Sequence, residues 1–108
     1  NEMRLIGWNT SFDRSPTIWS SGTSQTDIIS SYTSNKIYKY AISYKDDDIA
    51  TSRDGDNPMT ESSATVPIVN SLSIGNTRGI AFELNGHIKN LKYYPVRLSN
   101  SELQALTI

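Results

Sequence analysis

Apolar and polar residues alternate along this chain in short runs, which are separated by clusters of Gly, Asn, Asp, Ser and Pro. A period of two residues is typical of strands with one buried face, and such clusters are typical of turns. In the clearest run, Tyr38, Tyr40, Ile42 and Tyr44 occupy alternate positions. The segment 59–66 is ambiguous and fits an edge strand that ends at Pro67. The predicted strands are residues 3–8, 17–20, 27–31, 36–44, 49–52, 59–66, 71–74, 79–84 and 88–94.

One short helix is predicted, over residues 99–106. Ser99 can accept a hydrogen bond from the amide of Glu102, whose carboxylate can reach back to the amide of Ser99, which is a capping box. Pro95 ends the preceding strand because proline cannot donate a ladder hydrogen bond. We expect Leu103 and Leu106 to pack on the sheet.

Arg97 lies between this proline and the helix cap. A guanidinium at such a position can satisfy carbonyl groups or pair with a carboxylate. The structural residues of this end of the chain are then Pro95, Arg97, Ser99 and Glu102.

Composition narrows the class of protein. The 108 residues carry a net charge of −1 and no cysteine, which fits one domain over residues 1–108 without disulfides or thiolate zinc sites. The absence of a basic stripe argues against non-specific nucleic-acid binding. No apolar run approaches the roughly 20 residues that span a bilayer. Because the chain begins at Asn1, we expect it to be the C-terminal fragment of a longer protein.

Acidic clusters mark two of the turns. Asp tolerates left-handed backbone and bonds its neighbours, so we interpret the run that begins at Asp46 and the pair Asp54-Gly55 as turn formers. Calcium prefers hard oxygen ligands, and Asp54 and Asp56 are the candidates for that alternative. No glutamate follows at the offset of the twelve-residue calcium loop, so we expect no cofactor.

Catalysis finds little support in the sequence. His87 is alone, nothing selects a serine and a carboxylate to accompany it, and an exposed loop position is expected. Glycoside hydrolysis needs two carboxylates about 5–10 Å apart. Glu102 is used by its cap and Glu83 should face solvent, which leaves Glu61. We therefore expect no enzyme, and a polysaccharide depolymerase is the alternative.

Tyrosines are the better functional lead. Their flat faces and polar edges suit sugar rings and protein interfaces. Tyr38 and Tyr44, together with hydroxyl-reading Asp46 and Asp48, form the candidate ligand site. The alternative for these rings is packing, and we interpret Tyr40 and Tyr93 as core.

Two blocks of the chain resemble the C-terminal concanavalin A-like (laminin-G-like) jelly-roll domain of tailed-bacteriophage tail and virion proteins. In that family a G-x-I strand runs into a Tyr-Tyr-Pro corner and an R-L-S-x-x-E-L-Q-x-L-T ending. The matching residues of the last block are Gly86, Ile88, Tyr93, Tyr94, Pro95, Arg97, Leu98, Ser99, Glu102, Leu103, Gln104, Leu106 and Thr107. Those of the earlier block are Tyr44, Asp48 to Ser52, Asp54, Gly55, Val66, Pro67 and Leu72 to Gly75.

The resemblance covers residues 36–108 and implies an all-β antiparallel β-sandwich with one short C-terminal helix, incomplete at its N-terminus. For Arg97 it implies a structural clamp at the domain end rather than a ligand contact. It also implies a non-enzymatic tail or tail-fibre domain that is assembled in the host cytoplasm into the virion. Its partners would be host-surface glycan or other virion subunits, and a homotrimer is the expected oligomer. A purely architectural assembly or capping module is the alternative, because this fold hosts lectins, hydrolases and inert modules.

Overall fold

The computed structural model describes residues 2–4, 17–21, 23–25, 36–71, 74 and 87–108. Most regular structure in this part of the chain is strand, as the alternating pattern predicts, and a single short helix follows. The elements are β1 (Glu2–Arg4), β2 (Thr17–Ser20), β3 (Thr23–Ser24), β4 (Tyr40–Lys45), β5 (Asp48–Arg53), β6 (Met59–Glu61) and α1 (Asn100–Leu106). No helix among the described residues is long and apolar enough to cross a membrane.

Within the described residues the strands form two antiparallel sheets of three strands each, in the orders β1-β2-β3 and β4-β5-β6. The predicted strand 17–20 is confirmed as β2. Of the predicted strand 3–8, the structure describes only residues 3 and 4, which lie in β1; the predicted strands 27–31 and 79–84 lie outside the described residues. A hydrogen bond from the amide of Thr65 to the side-chain oxygen of Gln25, at 3.0 Å, links the segment after β6 to the end of β3.

The register of β4 and β5 divides the second sheet into two faces. Tyr44 pairs with Ile49 and Lys45 with Asp48, so the hairpin loop is the pair Asp46-Asp47. Directly opposed residues share a face and neighbours along a strand alternate between faces. We call one side the helix face; its residues are Ala41, Ser43, Lys45, Asp48, Ala50 and Ser52. The other side is the tyrosine face; its residues are Tyr40, Ile42, Tyr44, Ile49, Thr51, Arg53, Met59 and Glu61.

β5 is buried on both faces, which explains its unbroken run of buried residues from Ile49 to Ser52. On the tyrosine face, Ile49 forms a core cluster with Ala64, against which Ile42, Tyr44 and Val66 pack. On the helix face, α1 packs against β4 and β5. The small side chains of that face, such as Ala50 and Ser43, allow the helix to approach closely. The sheet is therefore the middle layer of this region.

Helix α1 begins with the predicted capping box. The Ser99 hydroxyl accepts from the amide of Glu102 at 3.3 Å, and the Ser99 amide donates to the Glu102 carboxylate at 2.8 Å. Leu103 is 1% exposed, as expected, but Leu106 is 44% exposed. Thr107, four residues after Leu103 on the same helical stripe, is 1% exposed, so Thr107 rather than Leu106 is the buried partner of Leu103.

Thr107 fastens the end of α1 to the turn that follows β5. Its hydroxyl oxygen lies 3.0 Å from each of three atoms: the Gly55 nitrogen, the Ser52 hydroxyl oxygen and the Gln104 carbonyl oxygen. The Gln104 side chain donates to the Gly55 carbonyl at 2.8 Å. Gly55 has φ +82°, and a Cβ there would lie 3.1 Å from Ile108 Cγ1, so any other residue would strain the backbone and crowd Ile108.

The strand predicted over residues 36–44 begins only at Tyr40. The residue that would pair with Lys39 is Asp54, whose φ of +49° turns the chain away from the ladder. The Asp54 carboxylate accepts from the Lys39 amide at 2.8 Å, and the Asp54 amide donates to the Lys39 carbonyl at 2.9 Å. The Asp54 carboxylate thus takes the place of a backbone carbonyl as the acceptor for the Lys39 amide, just before β4 begins.

The strand predicted over residues 88–94 is wrong. This segment has no ladder partner within the described ranges, and unpaired backbone cannot form a strand. Tyr93, expected in the core, is 77% exposed, and Ile88 and Leu91 are also exposed. Pro95 accordingly lies at an exposed bend and ends no strand. The ambiguous segment 59–66 contains only the short strand β6, and Ser71 and Ile74, the described ends of another predicted strand, lie outside any strand.

Candidate functional site

The tyrosine stripe that the sequence predicts is present on the tyrosine face. Tyr40 and Tyr44 lie four residues apart on β4, and Tyr38 precedes the strand. The Tyr38 and Tyr40 ring centroids are 5.9 Å apart with planes tilted by 35°. All three side chains are half-buried. Each ring is therefore partly accessible, and each is held by neighbours, which is the condition for a rigid contact surface.

Two cations surround the Tyr38 ring. Lys36 Nζ lies 5.0 Å from the ring centroid and the Arg53 guanidinium carbon lies 5.4 Å from it. Both distances fall within the range of cation–π attraction. A hydrogen bond to the Tyr40 side chain raises the pKa of Arg53, and the register places these two residues directly opposite each other. Neither cation was among the predicted site residues. Lys36 lies beside the tyrosine run in the sequence, whereas Arg53 comes next to it only through the hairpin register.

Tyr44 closes the other end of the stripe. One side of the residue packs on the Ile49–Ala64 cluster. Burial raises the pKa of the Tyr44 hydroxyl, and the nearby Tyr93 adds to the rise through its charge and a hydrogen bond. Tyr93 thus contributes to this end of the face although its ring is exposed.

Asp46 and Asp47 act as turn formers, but their partners are distant in sequence. An Asp46 carboxylate oxygen accepts from the Val66 amide at 2.8 Å. An Asp47 carboxylate oxygen accepts from the Ala64 amide at 3.1 Å, and the Asp47 amide donates to the Ala64 carbonyl at 2.9 Å. Asp47 adopts φ +56°, the expected left-handed backbone. The hairpin loop is therefore tied to the chain that covers Ile49.

Asp48 does not join Tyr44 in one site, contrary to the sequence hypothesis. It lies on the helix face, where its carboxylate accepts from Arg97 Nη2 at 2.8 Å. Arg97 also donates to the Asn100 side chain at 2.9 Å and to the Leu98 carbonyl. The Arg97 side chain is 14% exposed and that of Asp48 54%. Arg97 thus has the geometry of the expected clamp between the helix start and β5.

Both candidate calcium ligands take part in the turn after β5, Asp54 through its carboxylate and backbone and Asp56 through its backbone. The Asp54 carboxylate accepts a hydrogen bond from the Lys39 amide, and the Asp54 amide donates one to the Lys39 carbonyl. The Asp56 carbonyl accepts from the Ser52 hydroxyl at 2.8 Å, and its amide donates to Arg53. Within the described part of the chain, no group of three or more acidic or histidine side chains could hold a metal ion.

His87 is exposed and outside regular structure, as expected.

A pH effect follows from the capping box. Hydrogen bonds from the Ser99 side chain and then from its backbone lower the pKa of Glu102. A lowered folded-state pKa adds stability above the unfolded pKa of about 4.3, and this contribution is lost as pH falls through the folded-state value. We expect the stability of Glu102→Gln, which keeps the box but does not titrate, to fall less than that of the wild type on acidification. Thermal unfolding from neutral to acidic pH measures this, and parallel curves for the two proteins would contradict it.

A comparison with family models, curated proteins and solved structures finds no match for this chain. The likeness to concanavalin A-like phage domains therefore stays a prediction. Any function has to be argued from the tyrosine face, the clamp at Arg97 and the exposed segment before it.

Proposed function

We propose that this chain is a non-enzymatic domain of a tailed-phage virion that recognises host-surface glycan through its tyrosine face. In this proposal residues 1–108 form one concanavalin A-like β-sandwich to which the two three-stranded sheets contribute, at the C-terminal end of a longer chain. The all-β character of the described residues is compatible with that fold. The capped helix docked on β5 fits the ending that the sequence motif implies.

The observation that carries the proposal is the row of half-exposed tyrosine rings on one sheet face. Sugar rings present C–H patches that stack on aromatic faces, while hydroxyl and guanidinium groups at the edges bind sugar hydroxyls. Tyr40 and Tyr44 are separated by about 13 Å along an extended strand. That distance suits a short oligosaccharide better than a single sugar ring.

Such a surface is shallow, so each site would bind weakly. Several copies on one particle raise the effective concentration of sites and compensate for low single-site affinity. A homotrimeric fibre would provide this multivalency. Neither a metal nor a cofactor is needed for stacking and hydrogen bonding of this kind.

An architectural role in virion assembly is the second candidate, and a separate observation favours it. The segment between the tyrosine face and the clamp exposes several apolar side chains: Ile88, Leu91, Tyr93, Tyr94 and Val96. Scattered apolar residues are normal on a surface, whereas five within one nine-residue segment are the kind of exposed apolar group that a partner subunit would cover. Assembly and glycan binding therefore predict different roles for Tyr44 and Tyr94.

Glycan-array binding separates the two candidates. We expect the multivalent protein to bind a subset of bacterial surface glycans, Tyr40→Ala and Tyr44→Ala to lose most of that signal, and Tyr94→Ala to keep it. Because Tyr44 also packs on Ile49, thermal unfolding must show that each variant is folded at the assay temperature. Absence of glycan binding in every oligomeric form would contradict recognition and favour assembly.

A further inference from the structure

We propose that the glycan bound by the tyrosine face is an anionic one, whose sugar carboxylate lies at the Tyr38 end beside Lys36 and Arg53. This inference rests on the proposed function and adds the chemical class of the ligand and its direction on the surface. The supporting observation is that two cations lie about one aromatic ring, Tyr38, at one end of the stripe. Their positive charge is complementary to a carboxylate.

The Tyr38 ring is better suited to holding these cations than to stacking a sugar. Lys36 and Arg53 lie 5.0 and 5.4 Å from its centroid, and the attraction between cation and ring face favours those positions. Side chains restrained in this way lose less conformational freedom when a ligand binds. Tyr38, predicted as a direct ligand residue, is thus assigned the role of positioning the charges.

Arg53 has the donor geometry that a carboxylate requires. A guanidinium presents five N–H donors in a planar fork, which matches the two oxygens of a carboxylate. A hydrogen bond to the Tyr40 side chain, which also raises the pKa of Arg53, restrains this guanidinium beside the Tyr40 ring. Because Arg53 and Tyr40 are directly opposed across β4 and β5, a bound anion would lie beside the ring on which the adjoining sugar stacks.

The charged groups at the two ends of the tyrosine face determine which end of the glycan would carry the carboxylate. Asp56 lies close enough to Arg53 to favour its charged form, so the cationic end is partly balanced. Glu61 lies at the opposite end of the face, in the row of Tyr44 and Ile49, and its carboxylate accepts from the Ser63 amide at 2.9 Å. Lys36 and Arg53 lie at the Tyr38 end beside Asp56, whereas Glu61 adds negative charge near Tyr44. An anionic group is therefore favoured near Tyr38, and a neutral sugar ring can stack near Tyr44.

The test starts from the glycans that the wild-type protein binds on an array of acidic and neutral bacterial polysaccharides. Each acidic glycan that binds is then converted to its neutral counterpart by reduction of its carboxylates. We expect the bound glycans to be carboxylated and their reduction to weaken binding by at least about tenfold, since a charge-assisted hydrogen bond is lost. Higher salt should weaken binding of the acidic form more than that of the neutral form.

Variants locate the charge contact. Arg53→Gln and Lys36→Gln should lose the preference for the carboxylated form, whereas Lys45→Gln should keep it, because Lys45 is an exposed cation on the opposite face of the same sheet. Arg53→Lys should restore part of the preference, because the charge returns without the fork. Binding to neutral glycans alone, or equal binding before and after reduction, would overturn this inference and leave the proposed function intact. Binding to no glycan would overturn both.

Discussion

Leu103→Ala is expected to lower the free energy of unfolding by about 2–5 kcal/mol, because Leu103 is the buried apolar side chain of α1. The substitution removes the side chain that α1 places against the small residues of the helix face. The sheet side chains there, such as Ala50 and Ser43, are too short to fill the space that is left. Urea-induced unfolding of wild type and variant, followed by circular dichroism, measures the difference.

Leu106→Ala is the matched control, since it makes the same chemical change one turn away in the same helix. Leu106 is 44% exposed, so its truncation should cost much less than that of Leu103. Equal losses for the two variants would mean that Leu103 is not buried against the sheet. A loss of native circular dichroism in Leu103→Ala without denaturant would fit the expected direction, and Leu103→Val would then supply the measurable value.

Thr107→Val should lower the free energy of unfolding by about 1–3 kcal/mol, the cost of leaving a buried polar group without its partner. Valine nearly preserves the shape of threonine, so the lost hydroxyl is the main change. The Gly55 amide would lose its acceptor, and the Ser52 hydroxyl would lose one neighbour. Thr107 is 1% exposed, which leaves water little access to replace these bonds.

Thr107→Ser provides the control for the hydroxyl, because it keeps the oxygen and removes only a methyl group. It should be more stable than Thr107→Val. A double-mutant cycle with Ser52→Ala should give a coupling energy of about 0.5–3 kcal/mol, as expected for residues of one hydrogen-bond network. Additive effects of the two substitutions, or a valine variant as stable as wild type, would show that the network does not fasten the helix.

Local signals predicted the helix and the central hairpin. The capping box at Ser99 and Glu102 is a property of four consecutive residues, and the structure contains it. The pair Asp46-Asp47 marks the turn between β4 and β5 for a similarly local reason. The segment 88–94 shows the limit of such signals. The predicted Asn85-Gly86 turn before it and Pro95 after it indicate a possible strand, but a strand also requires a ladder partner from another part of the chain.

The candidate ligand site was only partly predictable, and the reason is the hairpin register. Tyr44 and Asp48 are close in sequence, but a two-residue loop pairs Tyr44 with Ile49 and so places Asp48 on the other face. A shift of one residue would reverse this outcome. The same register places Arg53 opposite Tyr40, although the two residues are far apart in the sequence.

Amide hydrogen exchange at Gly55 is the most direct test of the docked terminal helix. The Gly55 amide donates to the Thr107 hydroxyl rather than to another strand, so its protection depends on the position of α1. We expect the amides of Gly55 and Leu103 to exchange as slowly as those of β5, and Thr107→Val to remove the protection at Gly55. Fast exchange at both amides of the wild-type protein, beside slow exchange in β5, would contradict the account.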